Sequence, residues 1–195
     1  MLIHFFKVIE HIVALNTEEK EVLQSLFQIE KISKGEFLLK EGEICKYEFF
    51  ILDGIARTFY IDEAGIEHTS MFAFSGWWTG DLVSFQRRIP SKNYIQVLES
   101  STIVKITQTN QQIMFKVVPK LEKYFRILFQ NRVVALEEAL EARQSQAASE
   151  VYHSFTKKHA VYMDKIPLKY LASYLNITPG YLSRIRSRKS YKKLY

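Results

Sequence analysis

The chain has 195 residues, a formal net charge of +6, 47% hydrophobic residues and 14% aromatic residues. This composition indicates one large or two small folded domains and excludes a disordered chain. Because Cys45 is the only cysteine, one chain cannot form a disulfide, a four-cysteine iron–sulfur site or a four-cysteine zinc site.

No apolar run approaches the roughly 18 residues that span a bilayer. The first residues, Met1 to Glu10, lack the basic segment and the cleavage site of a secretory leader. We therefore expect a cytoplasmic protein without membrane contacts.

Glycine-separated apolar runs mark the first half of the chain as β structure. Six of the seven glycines lie between Gly35 and Gly80, which is typical of short strands joined by turns. Asp53-Gly54 favours a tight hairpin. The predicted strands are 36–40, 48–52, 56–61, 69–74, 94–99 and 103–106. They predict a compact β-roll or barrel that ends near residue 107.

A short helix over 110–117 and a long helix over 120–145 follow. The long segment contains neither Gly nor Pro, and its apolar residues recur at helical spacing. At 1.5 Å per residue it would span roughly 40 Å, more than a small roll can cover. We expect it to pair with a second subunit, although Arg132 interrupts the stripe; a strut along the roll is the alternative. The predicted interface residues are Phe125, Phe129, Leu136 and Leu140.

The C-terminal segment has the pattern of a helix-turn-helix. Leu171, Ala172 and Leu175 recur at helical spacing before a break at Asn176. Thr178 is a suitable N-cap for a second helix, and Pro179 is suited to its first position. Leu182 and Ile185 should then pack on the first helix.

The outer stripe of the second helix predicts a DNA-binding surface, because Arg can contact guanine and phosphate in a major groove. Residues 165–195 hold eight Lys or Arg and no Asp or Glu. That segment therefore carries a formal charge of +8, and because the whole chain carries +6, residues 1–164 carry −2. Electrostatic attraction to nucleic acid is thus confined to the C-terminal segment. A basic hairpin that only aids solubility is the alternative. The predicted DNA-binding residues are Thr178, Tyr181, Ser183, Arg184, Arg186, Arg188 and Lys189.

In this order of elements the chain resembles the Crp/Fnr family of bacterial transcription regulators over nearly its full length. The motifs that carry the resemblance are the glycine-marked turns of the roll and the C-terminal segment. They are Lys34-Gly35-Glu36, Lys40-Glu41-Gly42, the turn at 50–54, the turn at 62–67, Gly80-Asp81-Leu82, and 171–186.

The resemblance implies an α+β fold in three parts. A β-roll of the double-stranded β-helix type with flanking helices is expected over 1–118, and a dimerisation helix over 119–145. A helix-turn-helix domain is expected over 146–195. Because the chain ends soon after the second helix, we expect that domain to lack a full wing.

Residues 82–94, which we call the effector segment, differ from the corresponding segment of family members that bind cyclic AMP. In those members a Glu holds the ribose and an Arg beside Ser or Thr holds the phosphate. Here Phe85 stands near the first position and Ser91-Lys92 near the second, so we expect no cyclic AMP binding and no cofactor. The alternatives are an anion site or a solvated basic loop. The residues of this possible effector pocket are Ser84, Phe85, Arg87, Arg88, Ser91 and Lys92.

The reading helix departs as well, because Gly180 stands where many members carry an acidic base-contacting residue, while Arg184 matches the family's arginine. The implied partners are double-stranded DNA, a second copy of the chain and RNA polymerase. We predict a homodimeric transcription regulator rather than an enzyme. One alternative is an effector module that acts on a protein partner without DNA. The other is a cupin-like metalloenzyme, for which only Glu67-His68 comes near a ligand set.

Overall fold

The structure is a computed structural model that describes residues 2–192, with side-chain surroundings given for residues 2–187. Within this part of the chain, the strands form two four-stranded antiparallel sheets, ordered β1-β8-β3-β6 and β2-β7-β4-β5. The strands are β1 Gln28–Ile32, β2 Phe37–Leu39, β3 Tyr47–Asp53, β4 Ile55–Ile61, β5 Glu67–Phe74, β6 Trp78–Thr79, β7 Tyr94–Val97 and β8 Ser101–Thr107.

Helices flank the sheets and form the C-terminal third. They are α1 Ile3–Glu10, α2 Thr17–Leu26, α3 Leu82–Arg87, α4 Gln108–Val117, α5 Leu121–Ser145, α6 Ala148–Lys158, α7 Leu168–Tyr174 and α8 Pro179–Lys192, with a 3₁₀ turn at Ala160–Tyr162. This arrangement confirms the predicted fold class, and the roll consists of two open sheets rather than a closed barrel.

The interior of the roll is a closely packed apolar core. Ile51 and Ile103 of one sheet meet Ala56 and Ile95 of the other, and all four are inaccessible to solvent. Successive side chains of a strand point to opposite faces, so these four point into the roll while Phe50 and Val104 pack in the cluster beside the flanking helices.

The hairpin between β3 and β4 depends on Gly54. Its φ of +118° lies in the region that favours glycine, and a Cβ there would lie 2.1 Å from the Ser101 Oγ. The predicted Asp53-Gly54 turn is therefore fixed by both backbone conformation and space.

Helix α5 belongs to two environments. Its first turns pack on the roll beside α1, α2 and α4, where Phe125 is only 3% exposed and its ring lies 5.3 Å from that of Trp78. Its later turns extend into solvent, where Leu136 is 60% exposed and Leu140 58%. The first half of α5 therefore packs along the roll as the predicted strut would, and its second half leaves an apolar surface exposed.

The C-terminal helices pack against the outer surface of the roll. Leu171 and Ala172 of α7 share a buried cluster with Ile55 of β4 and Phe72 of β5. The cluster also holds Leu182 and Ile185 of α8. One core therefore joins the roll and the helix-turn-helix.

Candidate nucleic-acid interface and effector segment

The turn between α7 and α8 has the local chemistry that the sequence predicted. Asn176 adopts a left-handed conformation with φ of 55°, which Asn tolerates better than most residues. The Ile177 N–H donates to the Ala172 carbonyl at 3.0 Å and so closes α7. The Thr178 hydroxyl accepts from the Tyr181 N–H at 3.2 Å, which is an N-cap interaction, and Pro179 is the first residue of α8.

Helix α8 presents one apolar and one polar side. Leu182 and Ile185 are buried against α7 and the roll. Tyr181 and Arg184 lie on the opposite side, with the guanidinium carbon 5.7 Å from the centre of the phenol ring. The exposed residues of the predicted set are Thr178, Tyr181, Ser183, Arg184 and Arg186. The side chains of Arg188 and Lys189 lie outside the described residues.

The effector segment forms a closed hydrogen-bond network around Asp81. Its carboxylate caps α3 by accepting from the Ser84 N–H at 3.0 Å. It also accepts from the Ser91 hydroxyl at 2.7 Å and the Asn93 amide at 3.0 Å. Burial opposes ionisation of Asp81, but these hydrogen bonds outweigh it and lower the pKa of the carboxyl. The Asp81 carboxylate thus supplies the negative charge that the N-terminus of α3 favours.

The predicted pocket residues divide into two groups. Ser84, Phe85 and Ser91 are buried, and Phe85 packs in the roll interior beside Cys45. The Ser84 hydroxyl accepts from the Cys45 N–H at 2.8 Å and donates to the Ile89 carbonyl. The cations Arg87, Arg88 and Lys92 are exposed on the loop. The structure therefore buries the hydroxyl groups of Ser84 and Ser91 and leaves the three cations exposed to solvent.

The predicted dimer stripe begins later in α5 than expected. Phe125 is buried within its own subunit, and Phe129 is half-buried against the same cluster. The reason is that the first turns of α5 cover the aromatic core of the roll. Of the four predicted interface residues, Leu136 and Leu140 remain accessible to a partner.

Three residues at the contact between the roll and the helix-turn-helix were not predicted from the sequence: Arg57, Tyr170 and Ser173. Arg57 lies on β4, but only 2% of its surface is exposed. Tyr170 and Ser173 lie on the side of α7 that faces the roll. Their partners are distant in sequence, and no local pattern marks such pairs.

The residues considered for a metal have other partners. The Glu67 carboxylate accepts from Arg57 at 2.7 Å, and His68 Nε2 lies 2.7 Å from the Asp62 carboxylate. Within residues 2–192 no group of three or more His, Cys, Asp or Glu side chains is placed to hold a metal ion. In the same part of the chain, no helix is long and apolar enough to cross a membrane.

Comparison with known proteins agrees with this architecture. Residues 29–116 match the cyclic nucleotide-binding domain family. The chain is 26% identical over 144 residues to Electron transport regulator A of Shewanella oneidensis, a match that covers 72% of this chain. The chain spans about half the length of that relative, since the match covers 56% of it.

Solved structures match more of the chain. FixK2 from Bradyrhizobium japonicum superposes with a TM-score of 0.71 at 12% identity, covering 86% of each chain. A protein from Eubacterium rectale, described as a transcriptional regulator of the Crp/Fnr family, has a TM-score of 0.69 at 17% identity. That match covers 91% of this chain and 85% of the other.

The fold is therefore a cyclic nucleotide-binding-type roll joined through a long helix to a helix-turn-helix. The chain has the fold of the Crp/Fnr transcription regulators. The resemblance predicted from the sequence motifs is thereby confirmed for the fold.

Proposed function

We propose that this chain is a sequence-specific transcription regulator that binds double-stranded DNA as a homodimer and does not respond to cyclic AMP. The observation that carries the proposal is the surface of α8. There Tyr181 and Arg184 are exposed above a buried apolar pair, Leu182 and Ile185. A capped, partly buried helix with an outward Arg and Tyr is suited to a major groove.

The chemistry of α8 supports direct base contacts. Arg184 can donate two parallel hydrogen bonds to a guanine edge, and Tyr181 lies one turn earlier on the same exposed side. The Thr178 hydroxyl accepts from the Tyr181 N–H and can still donate to a phosphate, and a helix N-terminus favours an anion there. Arg186 is exposed further along α8 and can contribute a sequence-independent phosphate contact.

The apolar surface of α5 supports a dimer. Leu136 and Leu140 are one turn apart and mostly exposed, and Val133 is 52% exposed next to them. Such a stripe on a solvent-facing helix is stabilised when a second helix covers it. Two α5 helices paired in this way would carry two reading heads, as a two-fold symmetric operator requires. A contact with RNA polymerase follows from the resemblance alone.

Selection from a pool of randomised duplexes tests the proposal. The full chain should enrich an inverted repeat whose half-sites lie about one helical turn apart. Affinity for the enriched repeat should exceed that for random duplexes by about a thousandfold or more at physiological salt. Equal affinity for all duplexes would leave only non-specific attraction to phosphate and would overturn the proposal.

A further inference from the structure

A side chain of α7 in the helix-turn-helix forms hydrogen bonds with an edge strand of the roll. Strand β5 lies at the edge of its sheet, where backbone groups lack a neighbouring strand. The Ser173 hydroxyl of α7 accepts from the Thr69 N–H at 2.8 Å and donates to the Glu67 carbonyl at 2.7 Å. One hydroxyl therefore bonds to both a donor and an acceptor of the edge, and it fixes α7 along the strand.

A buried arginine of β4 also joins the roll to α7. The Arg57 guanidinium carbon lies 3.8 Å from the ring centre of Phe59 and 3.5 Å from that of Tyr170. Phe59 belongs to the roll and Tyr170 to α7, so the planar cation is stacked between the two units.

Three of the five N–H groups of the same guanidinium donate hydrogen bonds to side chains of the roll. Nη1 donates to the Glu67 carboxylate at 2.7 Å, and Nε and Nη2 donate to the Gln96 side-chain oxygen at 3.1 and 2.9 Å. A guanidinium taken out of water is stabilised only when its donors are satisfied in this way. These bonds hold the guanidinium in one orientation within the roll, and the Tyr170 ring of α7 lies against it in that orientation.

The reading helix follows α7 closely. Leu182 and Ile185 pack in the same cluster as Leu171 of α7. Arg143 of α5 lies over the Tyr174 ring at 5.0 Å and donates to the Tyr174 carbonyl at 3.5 Å. Helix α7 thus has contacts to the roll, to the long helix and to α8. The outer side of α8 remains exposed in this arrangement, so docking fixes the reading surface without covering it.

We propose that Arg57 and Ser173 are positioning residues that fix the angle and distance between the two reading helices and thereby determine which half-site spacing the protein accepts. The inference rests on the proposed function. Neither residue touches DNA; both act through α7. A bivalent protein gains affinity from its second half-site only if its geometry fits the spacing, and a rigid connection makes that dependence steep.

The experiment uses the enriched repeat and versions of it whose central spacer is shortened or lengthened by one or two base pairs. The parent should prefer its own spacing by about tenfold or more. Arg57→Met with Ser173→Ala should reduce that preference to about threefold or less, because the heads then adopt several orientations. Affinity for a single half-site should stay within about twofold, since the reading surface is unchanged.

Matched substitutions away from the contact are the controls. Lys105→Met removes a cation from the other sheet, and Ser25→Ala removes a hydroxyl from α2; this pair should retain the parental preference. Tyr170→Phe keeps the ring over the guanidinium and should also retain it, whereas Tyr170→Ala should not. Far-UV circular dichroism and sedimentation verify folding and assembly. Ser173→Ala alone is the milder variant if the double variant does not fold.

The possible results separate the two proposals. If the parent binds its repeat and the variants keep its spacing preference, the positioning role is wrong while the proposed function stands. If variants lose affinity for a single half-site as much as for the repeat, Arg57 and Ser173 only maintain the fold, and the positioning role is again wrong. If the parent enriches no sequence, the proposed function fails and this inference fails with it.

Discussion

The proposed DNA contacts of α8 are made by single side chains, and Arg184 gives the most direct test of them. Arg184→Ala should weaken binding to the selected operator by about 1 to 3 kcal/mol and relax specificity at one base pair. Arg186→Ala should weaken binding to all sequences evenly, as the loss of a phosphate contact does. Competition binding against operators altered at each position measures both effects. Unchanged affinity and specificity of Arg184→Ala would assign the reading surface to other residues.

Gly54 is a residue-scale test of the fold. Gly54→Ala should lower the free energy of unfolding by about 2 to 4 kcal/mol, because the new methyl group meets the Ser101 side chain in a left-handed turn. Gly42→Ala is the matched control, since Gly42 also has positive φ but has no atom within 4 Å of a Cβ. It should cost only about 1 kcal/mol of backbone strain. Urea unfolding distinguishes the two, and equal losses would refute the contact with Ser101.

His159 connects stability to pH. Burial, with a smaller effect of the nearby Lys158 charge, lowers the pKa of His159 from 6.5 to about 4. The ring stacks on Phe74 at 4.6 Å between centres, at the junction of the roll and the C-terminal helices. The unfolded chain therefore binds a proton at His159 more readily than the folded chain does. Protonation of His159 does not reduce the free energy of unfolding above pH 6.5, and it reduces it increasingly as the pH falls toward 4.

Replacing that ring should flatten the acid limb of the stability curve. The free energy of unfolding of His159→Gln should fall less between pH 6.5 and 4 than that of the parent. After allowance for the half-exposed ring, the difference should be about 1 to 2 kcal/mol. His4→Gln, which changes an exposed histidine, should follow the parent. Parallel curves for parent and His159→Gln would contradict the assigned pKa.

At the scale of elements, the long helix was predictable because a run of 25 residues without Gly or Pro leaves few alternatives. The strands around Gly54 and the cap at Thr178 were predictable for similar local reasons. Helix α3 was not predicted, because its six residues depend on a cap by Asp81 and on burial of Phe85 in the roll. The contact of Arg57 with Tyr170 joins residues far apart in the chain, and period-based patterns carry no information about such pairs.

The exposed half of α5 gives an element-scale prediction. Leu136→Asp should dissociate the proposed dimer, because the carboxylate would be buried without a partner in an apolar seam. Ile3→Asp, a similar change at a residue that is 70% exposed on α1, should leave assembly unaltered. Sedimentation of parent and variants at micromolar concentration measures the effect. If the parent sediments as a monomer, α5 is not a dimerisation helix.

At the scale of the whole molecule, packed apolar groups and hydrogen-bonded side chains occupy the segment between Ser84 and Lys92, where the resemblance to the Crp/Fnr family predicted an effector pocket. Phe85 is fully buried among interior side chains of both sheets. The hydroxyl groups of Ser84 and Ser91 already donate to Ile89 and Asp81. A ligand would have to displace satisfied hydrogen bonds and packed apolar groups before it gained its own contacts.

Cyclic AMP should therefore fail to bind. Phe85 offers no acceptor to a ribose hydroxyl, and the exposed Lys92 offers a single flexible ammonium where a bidentate guanidinium would grip a phosphate. A site that loses two polar contacts of this kind loses about 3 kcal/mol or more of affinity. Calorimetric titration of the full chain with cyclic AMP and cyclic GMP up to millimolar concentration should show no saturable heat, and operator affinity should be equal with and without nucleotide. A micromolar dissociation constant for either nucleotide would show that the segment between Ser84 and Lys92 opens to admit a ligand.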